Sequence, residues 1–391
     1  MSQLLNERWS ETKEALLEGL QGNRRASMAV CLENTRRSLA ESATAGATSA
    51  GNVATLNRVI LPVIRRVMPT VIANEIIGVQ PMTGPVGQIH TLRVRYADSG
   101  DNVTAGEEAL SPFKIASAYS GNNVDANPAA NTTSQLEGQP GKRMSIQILK
   151  TPVEAKSRKL SARWTFEAAQ DAQAQQGIDI EAEIMAALAQ EITAEIDQEI
   201  LASLRGLANI EETYDQSLVS GTATFVGDEH AALAIQINRV SNLIAQRTRR
   251  GAGNWAVVSN QALTILQSAT TSAFARTTEG TFEAPTNTKF VGTLNGAMRI
   301  YVDAYKSDTD DANQVLIGYK GASEADAAAF YCPYIPLMSS GVVLDPATFE
   351  PVVGFLTRYG YVQLTNTASS LGNAADYLGK VAITSANVSF K

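Results

Sequence analysis

Apolar residues recur at every fourth position through Ile180, Ile184, Leu188, Ile192, Ile196, Ile200 and Leu204. That spacing keeps one slowly drifting stripe on the face of an α-helix. No proline or glycine interrupts residues 178–205, and Gly206 stands where a C-terminal cap is expected. At 1.5 Å per residue the predicted helix is about 40 Å long, more than a small domain needs. A different period governs Ile89-His90-Thr91-Leu92-Arg93-Val94-Arg95-Tyr96, where Leu92, Val94 and Tyr96 continue an alternation expected of a strand. Met144-Ser145-Ile146-Gln147-Ile148-Leu149 reads as a second strand, continuing through Val153 towards Trp164. Between the two, residues 98–141 lose periodicity and are rich in Asn, Ser, Ala, Gly and Thr. Two strands flanking a long polar tip predict an extended hairpin-like loop.

The N-terminal part has helical spacing of its own. Leu4, Trp9, Leu16 and Leu20 lie broadly on one side, Gly22-Asn23 breaks the pattern, and Met28, Leu32 and Leu39 resume it. Small residues at 43–51 read as a linker, which makes the first 40 residues an expected appendage on a pliable arm. Residues 53–77 are apolar and dotted with bases, with Pro62 and Pro69 preventing one uninterrupted helix. Three glycines and two prolines at 78–87 mark a turn. Beyond the long helix come a helix at 231–247, a strand at 255–258, a helix at 261–268 and strands at 298–302 and 315–319. An aromatic, proline-dotted stretch at 329–337 and a long strand at 352–362 follow. Strands and helices mixed without regular βαβ alternation predict an α+β fold.

Composition narrows the function. Of 391 residues, 44% are hydrophobic and 18% charged, which suits a folded chain with a sizeable core. Lys+Arg number 32 against Asp+Glu 39, a net charge of -7, which excludes a strongly basic coat for nucleic acid. No apolar run approaches the roughly 18–20 residues of a membrane span, so no membrane partner is expected. The N-terminus lacks the basic-then-apolar order of a secretory signal, and two cysteines, Cys31 and Cys332, form no disulfide framework or Cys-rich zinc site. The cytosol is the default compartment.

Catalytic chemistry has little to stand on. A Ser-His-Asp triad or a multi-His metal site would need His90 or His230, the only histidines, and neither has a CxxC, HxxxH or HxxE neighbourhood. Gly318-Tyr319-Lys320-Gly321 is too short for a phosphate loop. Gly251-Ala252-Gly253 lacks the third glycine of a dinucleotide fingerprint and reads as a turn. Asp308, Asp310 and Asp311 miss a calcium-loop spacing, and Arg247, Arg249 and Arg250 sit at a helix end, where cations offset the dipole. No cofactor or metal is expected, and no enzyme.

A resemblance is carried by five stretches in order along the chain. They are Gly78-Val79-Gln80-Pro81-Met82-Thr83-Gly84-Pro85-Val86-Gly87, then Val153-Glu154-Ala155-Lys156-Ser157-Arg158-Lys159-Leu160-Ser161-Ala162, then the helix from Asp179 to Ile200. Gly318–Gly321 with Phe330-Tyr331-Cys332-Pro333-Tyr334-Ile335-Pro336-Leu337, and Gly354-Phe355-Leu356-Thr357-Arg358-Tyr359-Gly360, complete the set. Together they resemble the major capsid proteins of T-even-type contractile-tailed bacteriophages, except at 98–141 and 270–300, which match poorly. The resemblance implies the Hong Kong 97-type fold. Residues 1–77 would be the N-terminal arm and appendage, 78–163 the start of the P domain and the E-loop, and 164–206 the spine helix of the P domain. Residues 207–335 would be the A domain, 336–365 a P-domain strand, and 366–391 a C-terminal segment.

The implied function is structural: self-assembly into hexamers, and into pentamers as well, to form the icosahedral head shell around phage DNA. The implied partners are copies of the chain, with scaffold, vertex, portal and decoration proteins, and DNA enclosed without sequence-specific binding. The acidic net charge suits a container to which DNA must not adhere. The implied place is the virion, with assembly in the host cytoplasm. A vertex-specific paralogue forming pentamers and a protein-cargo nanocompartment shell are the alternatives, with a soluble hydrolase, weakened by the histidine count, as the alternative of a different class. The family also implies removal of an N-terminal segment after a Glu in an apolar-x-Glu context. Leu39-Ala40-Glu41 fits, with an ordinary helix end as the other reading.

One charge pattern suggests how copies would meet. The returning arm of the loop carries Lys142, Arg143, Lys150, Lys156, Arg158, Lys159 and Arg163, while the helix after it carries Glu181, Glu183, Glu191 and Glu195 among other acids. The expectation is a basic arm laid across the acidic helix of a neighbouring subunit, the alternative being two solvated faces.

Overall fold

A computed structural model describes residues 2–44, 71–100, 103–106, 109, 119–124, 127–137, 141–176, 180–208, 210–215, 226–248, 250–268, 274–276, 288–303, 314–322, 326–345, 348, 350–364 and 374–385. The expected linker at 45–51, the apolar segment at 53–70 and the aspartates at 308–311 lie outside the described residues.

The chain opens with α1 (Ser2–Leu17) and α2 (Gly22–Thr44). A short α3 (Ala73–Ile76) leads into β1 (Gly78–Val79). The next strand, β2 (Val86–Tyr96), runs out to the irregular tip, where β3 (Asn122–Val124), β4 (Asn127–Ala129) and α4 (Thr133–Leu136) lie. The return is β5 (Met144–Glu154), followed by β6 (Lys156–Arg163), α5 (Phe166–Gln176) and the long α6 (Ile180–Leu207). Helix α6 is the one the four-residue stripe predicts. Leu188, Ile192, Ile196, Ile200 and Leu204 are all buried, and Gly206 falls in its last turn rather than beyond it.

Two sheets organise the body. The smaller has the order β1-β13-β14-β6, with β13 (Ala329–Leu344) and β14 (Pro351–Gln363) as its long antiparallel centre. Pro333 lies inside β13 because the register shifts between Pro333 and Ile335, so the ladder bulges around a residue that cannot donate. The larger has the order β7-β15-β12-β8-β11-β10-β9. Its strands are β7 (Ile210–Asp215), β8 (Trp255–Ser259), β9 (Phe274–Arg276), β10 (Thr288–Leu294), β11 (Met298–Asp303), β12 (Gln314–Gly318) and β15 (Leu378–Ser385). Helices α7 (Val226–Thr248) and α8 (Asn260–Ser268) close its core, with Leu233, Ile237, Val240, Ile244 and Ile265 fully buried. The α+β class expected from the sequence holds. The C-terminal β15 returns between β7 and β12, so the larger sheet closes only when the end of the chain arrives.

The first helices are not the appendage the sequence suggests. Met28, Cys31 and Leu32 of α2 are buried in the same apolar cluster as Ile192, Ile196, Tyr331 and Phe355. Buried Asn34 Nδ2 donates to the carbonyls of Met82 (2.7 Å) and Tyr334 (3.0 Å). The alternation of apolar and charged residues was correctly helical, but periodicity does not say what the apolar face packs against. Here it packs on β13. Burial pushes the thiols of Cys31 and Cys332 up to about 12, which leaves both inert.

Candidate functional site: the ribbon, its root and the long helix

Strands β2 and β5 form a two-stranded antiparallel ribbon in unbroken register from Val86↔Glu154 to Tyr96↔Met144. Among the described residues no third strand joins it. On a pleated strand alternate residues share a face, so Met144, Ile146 and Ile148 line one side. They are 53%, 68% and 61% exposed. At the far end Tyr96 is covered by the Tyr119 ring, with centroids 4.5 Å apart, and by Val103 and Ala109. That cap stops short of the β5 stripe.

The ribbon's outer end is pinned by charge. The Arg143 backbone N–H donates to Asp98 Oδ2 at 2.8 Å, and its guanidinium reaches Asp98 Oδ1 at 3.3 Å. The Arg143 side chain and backbone hold Asp98 below the usual carboxylate range. Lys142 Nζ stands 5.5 Å from the centre of the Tyr119 ring. At the root, Met82, Ile89 and Val153 pack on Phe330 and Cys332. Gly360 of β14 makes the close approach possible, since a Cβ there would stand 2.5 Å from Val153.

The sequence reading puts Lys156, Arg158 and Lys159 on the returning arm of the loop. The structure moves them. Ribbon pairing ends at Glu154, and the Ala155 N–H donates to Pro85 O. The chain then re-pairs with β14, which makes β6 an edge strand of the body. There Arg158 binds its own long helix: Nη1 lies 2.6 Å from Glu195 Oε2 and Nη2 lies 2.5 Å from Glu199 Oε2. Its Nε donates to the Tyr359 hydroxyl at 2.6 Å, and that hydroxyl also bonds Glu199. Burial alone would raise Glu199, but Tyr359 and Arg158 together bring it below its ordinary value. A hollow of about 640 Å³ opens beside this cluster, lined among others by Lys156, Ser203, Tyr361 and Gln363.

The other expected contact residues are spread out. Lys150 remains on the ribbon, Lys142 and Arg143 lie just before its return strand, and all three are exposed. Glu181 and Glu183 occupy the first turn of α6. Glu183, Glu191 and Glu195 are exposed along it. Glu41 falls within the last turn of α2. His90 is exposed on β2, and His230 is buried in the larger unit against Ser268. Of the basic knot, Arg250 lies 2.7 Å from Asp326 and Arg247 3.7 Å from Asp376, and Arg249 lies outside the described residues. Among the described residues no helix is long and apolar enough to cross a membrane.

The feature sequence reasoning passed over is the apolar stripe of β5. Its signal was the alternation Met144-Ser145-Ile146-Gln147-Ile148, read as a strand but not asked which face would find a cover.

The family model for the major capsid protein Gp23 matches residues 53–138 and 123–383. The major capsid protein of Vibrio phage KVP40 is 30% identical over 421 aligned positions, covering 83% of this chain and 80% of that protein. That of Enterobacteria phage T4 is 28% identical, covering 81% and 76%. Among solved structures, one from Mycobacterium phage Bobi is 13% identical with a TM-score of 0.49, covering 81% of this chain and 91% of that one. A sequence match along most of the chain carries the assignment: the chain belongs to the major capsid protein Gp23 family.

Proposed function

We propose that this chain is the repeating tile of a phage head shell, joined to copies of itself as hexamers, with the ribbon as the E-loop, α6 as the spine helix of the P domain and the larger sheet as the A domain. The observation that carries the reading is the stripe Met144, Ile146 and Ile148. Large side chains more than half exposed on a ribbon that no third strand joins among the described residues cost solubility unless another surface covers them. A second copy is the fitting cover. The exposed Lys142 and Lys150 match the exposed Glu183 and Glu191 that every copy presents along α6. Lys156 and Lys159 on the β6 edge add to the basic side, and Glu181 to the acidic one. Arg143 is engaged with Asp98, and Arg158 and Glu195 are engaged with each other in their own chain, so they shape the two surfaces rather than join them.

Apolar burial supplies the adhesion, at about 25 cal/mol per Å². Exposed ion pairs contribute only about 0–1 kcal/mol each and set register. DNA would fill the shell without sequence-specific contact, and scaffold, portal and decoration proteins would meet the finished lattice. A cut after Glu41 would remove α1 and nearly all of α2, stripping Met28, Cys31 and Leu32 from the core they now complete. Electron microscopy of the purified chain tests the proposal. Closed shells or hexamer sheets are expected from the wild type and discrete particles from the Met144→Ser/Ile146→Ser/Ile148→Ser variant. Shells of ordinary yield from that variant would refute it.

A further inference from the structure

The long helix buries an ionisable group the shell reading does not use. Beside its main stripe runs a second row, Met185, Ala189, Thr193, Asp197 and Leu201, and all five are buried. Asp197 is 0% exposed. Its Oδ1 accepts the backbone N–H of Ile72 at 2.9 Å, and its Oδ2 has no hydrogen-bond partner among the described residues. The titratable groups facing it are Asp303 of β11 and Tyr331 of β13. Asp303 is also fully buried but has its own donors, Gln198 Nε2 at 2.8 Å and Arg205 Nη2 at 2.8 Å. Among the described residues Arg205 pairs with Asp303, and no cation pairs with Asp197.

The segment that Asp197 holds is a crossing point. Glu75 takes an ion pair from Arg24 of α2 and another from Arg299 of β11, and it accepts the Tyr301 hydroxyl. Lys320, just past β12, donates to the Asn74 carbonyl at 2.8 Å. Residues 71–77 therefore join the first helices, the long helix and the larger sheet.

We propose that Asp197 is a proton-dependent positioning residue that latches residues 71–77, and with them the larger sheet, to the long helix: the joint is tight while the carboxyl is neutral and loosens when it ionises. Burial first, and the charge of Asp303 after it, push Asp197 up to about 8 against an ordinary 3.8, although the Ile72 N–H pulls the other way. The closed joint therefore holds the proton more firmly than the open one. Its contribution is full below the ordinary value, falls as pH rises and levels off above about 8. In a shell, such a joint lets proton concentration set how rigidly the two sheets of each tile are coupled.

Hydrogen–deuterium exchange on the full-length chain tests this. The exchange of residues 71–77 is followed from pH 5 to pH 9 and normalised to Trp255–Ser259 of β8, which cancels base catalysis. In the wild type, normalised exchange rises by up to tenfold per pH unit towards pH 8 and then flattens. Asp197→Asn keeps the Oδ1 acceptor without a titrating proton, so its profile stays flat. Parallel profiles in the two proteins would overturn the latch. Should the variant fail to fold, a flat normalised profile in the wild type alone would overturn it equally.

Discussion

The ribbon and the long helix are the two most regular parts of the molecule, and they resolve the same problem in opposite ways. Each carries apolar residues at the period of its own backbone, two for the strand and near four for the helix. Helix α6 finds cover for its stripe inside the chain, against α2, β13 and β14. Strand β5 leaves its stripe bare. Regular patterning therefore specifies that a face must be covered, not by whom. The helix makes the chain a folded protein, and on the proposal above the ribbon joins one copy to the next.

The largest effect that would break this contrast lies in the helix. Ile196 is 1% exposed in the main core. Ile196→Ala should lower the stability of the unassembled chain by about 2–5 kcal/mol, the loss of transfer energy plus a cavity. Denaturant unfolding measures it. A loss below about 0.5 kcal/mol, the ordinary range for a surface change, would mean that the helix, like the ribbon, is not held from within.

Next comes the root, where the two regions meet. Gly360→Ala drives a Cβ towards Val153 and Glu154 O, and the backbone atom cannot swing aside. Overpacking of this kind costs about 1–3 kcal/mol. The same unfolding measurement reads it, with loosened exchange in residues 152–154 as the local signature. No loss of stability would show that ribbon and body are less tightly joined than the geometry indicates.

Arg158 sharpens the comparison with a smaller number. It is about a third exposed, so its pairs with Glu195 and Glu199 are partly screened by solvent. Arg158→Ala should cost about 1 kcal/mol, less in high salt. The pH dependence follows from Glu199, whose value in the fold lies below its ordinary one. Its contribution is present above the ordinary carboxylate range and is lost as pH falls through the lowered value. The wild-type advantage over Arg158→Ala should therefore shrink on acidification. An advantage unchanged down to pH 3 would remove Glu199 from the account.

Much of this was legible in the residues. The stripe from Ile180 to Leu204 fixed the long helix to within about two residues, the usual slack at helix ends, and the alternation at 89–96 marked the outgoing strand. What escaped was pairing. Nothing local in Lys156-Ser157-Arg158-Lys159 separates a strand continuing the ribbon from one turning back to join β14, because the partner lies about 200 residues away. The expectation that Arg158 meets a neighbour's helix therefore gives way to pairs with its own. Asp197 was hidden for another reason. In a helix dense with acids it reads as one more solvated charge, and only its place between Thr193 and Leu201, four residues from each, marks it as inward.

The smallest expected effect is the most discriminating. Ile146 is 68% exposed, although the cap over Tyr96 reaches its cross-strand neighbour Val94. Ile146→Ser should leave the unassembled chain within about 0.5 kcal/mol of wild type, as surface changes do. The same change in a copy-to-copy contact removes an apolar anchor at every repeat of the lattice, so small losses multiply across the shell. Assembly measured by light scattering against protein concentration should then need several-fold more protein. If Ile146→Ser destabilises the isolated chain as much as Ile196→Ala does, the stripe is covered from within after all. The distinction between a part that folds the tile and a part that joins it would then fail.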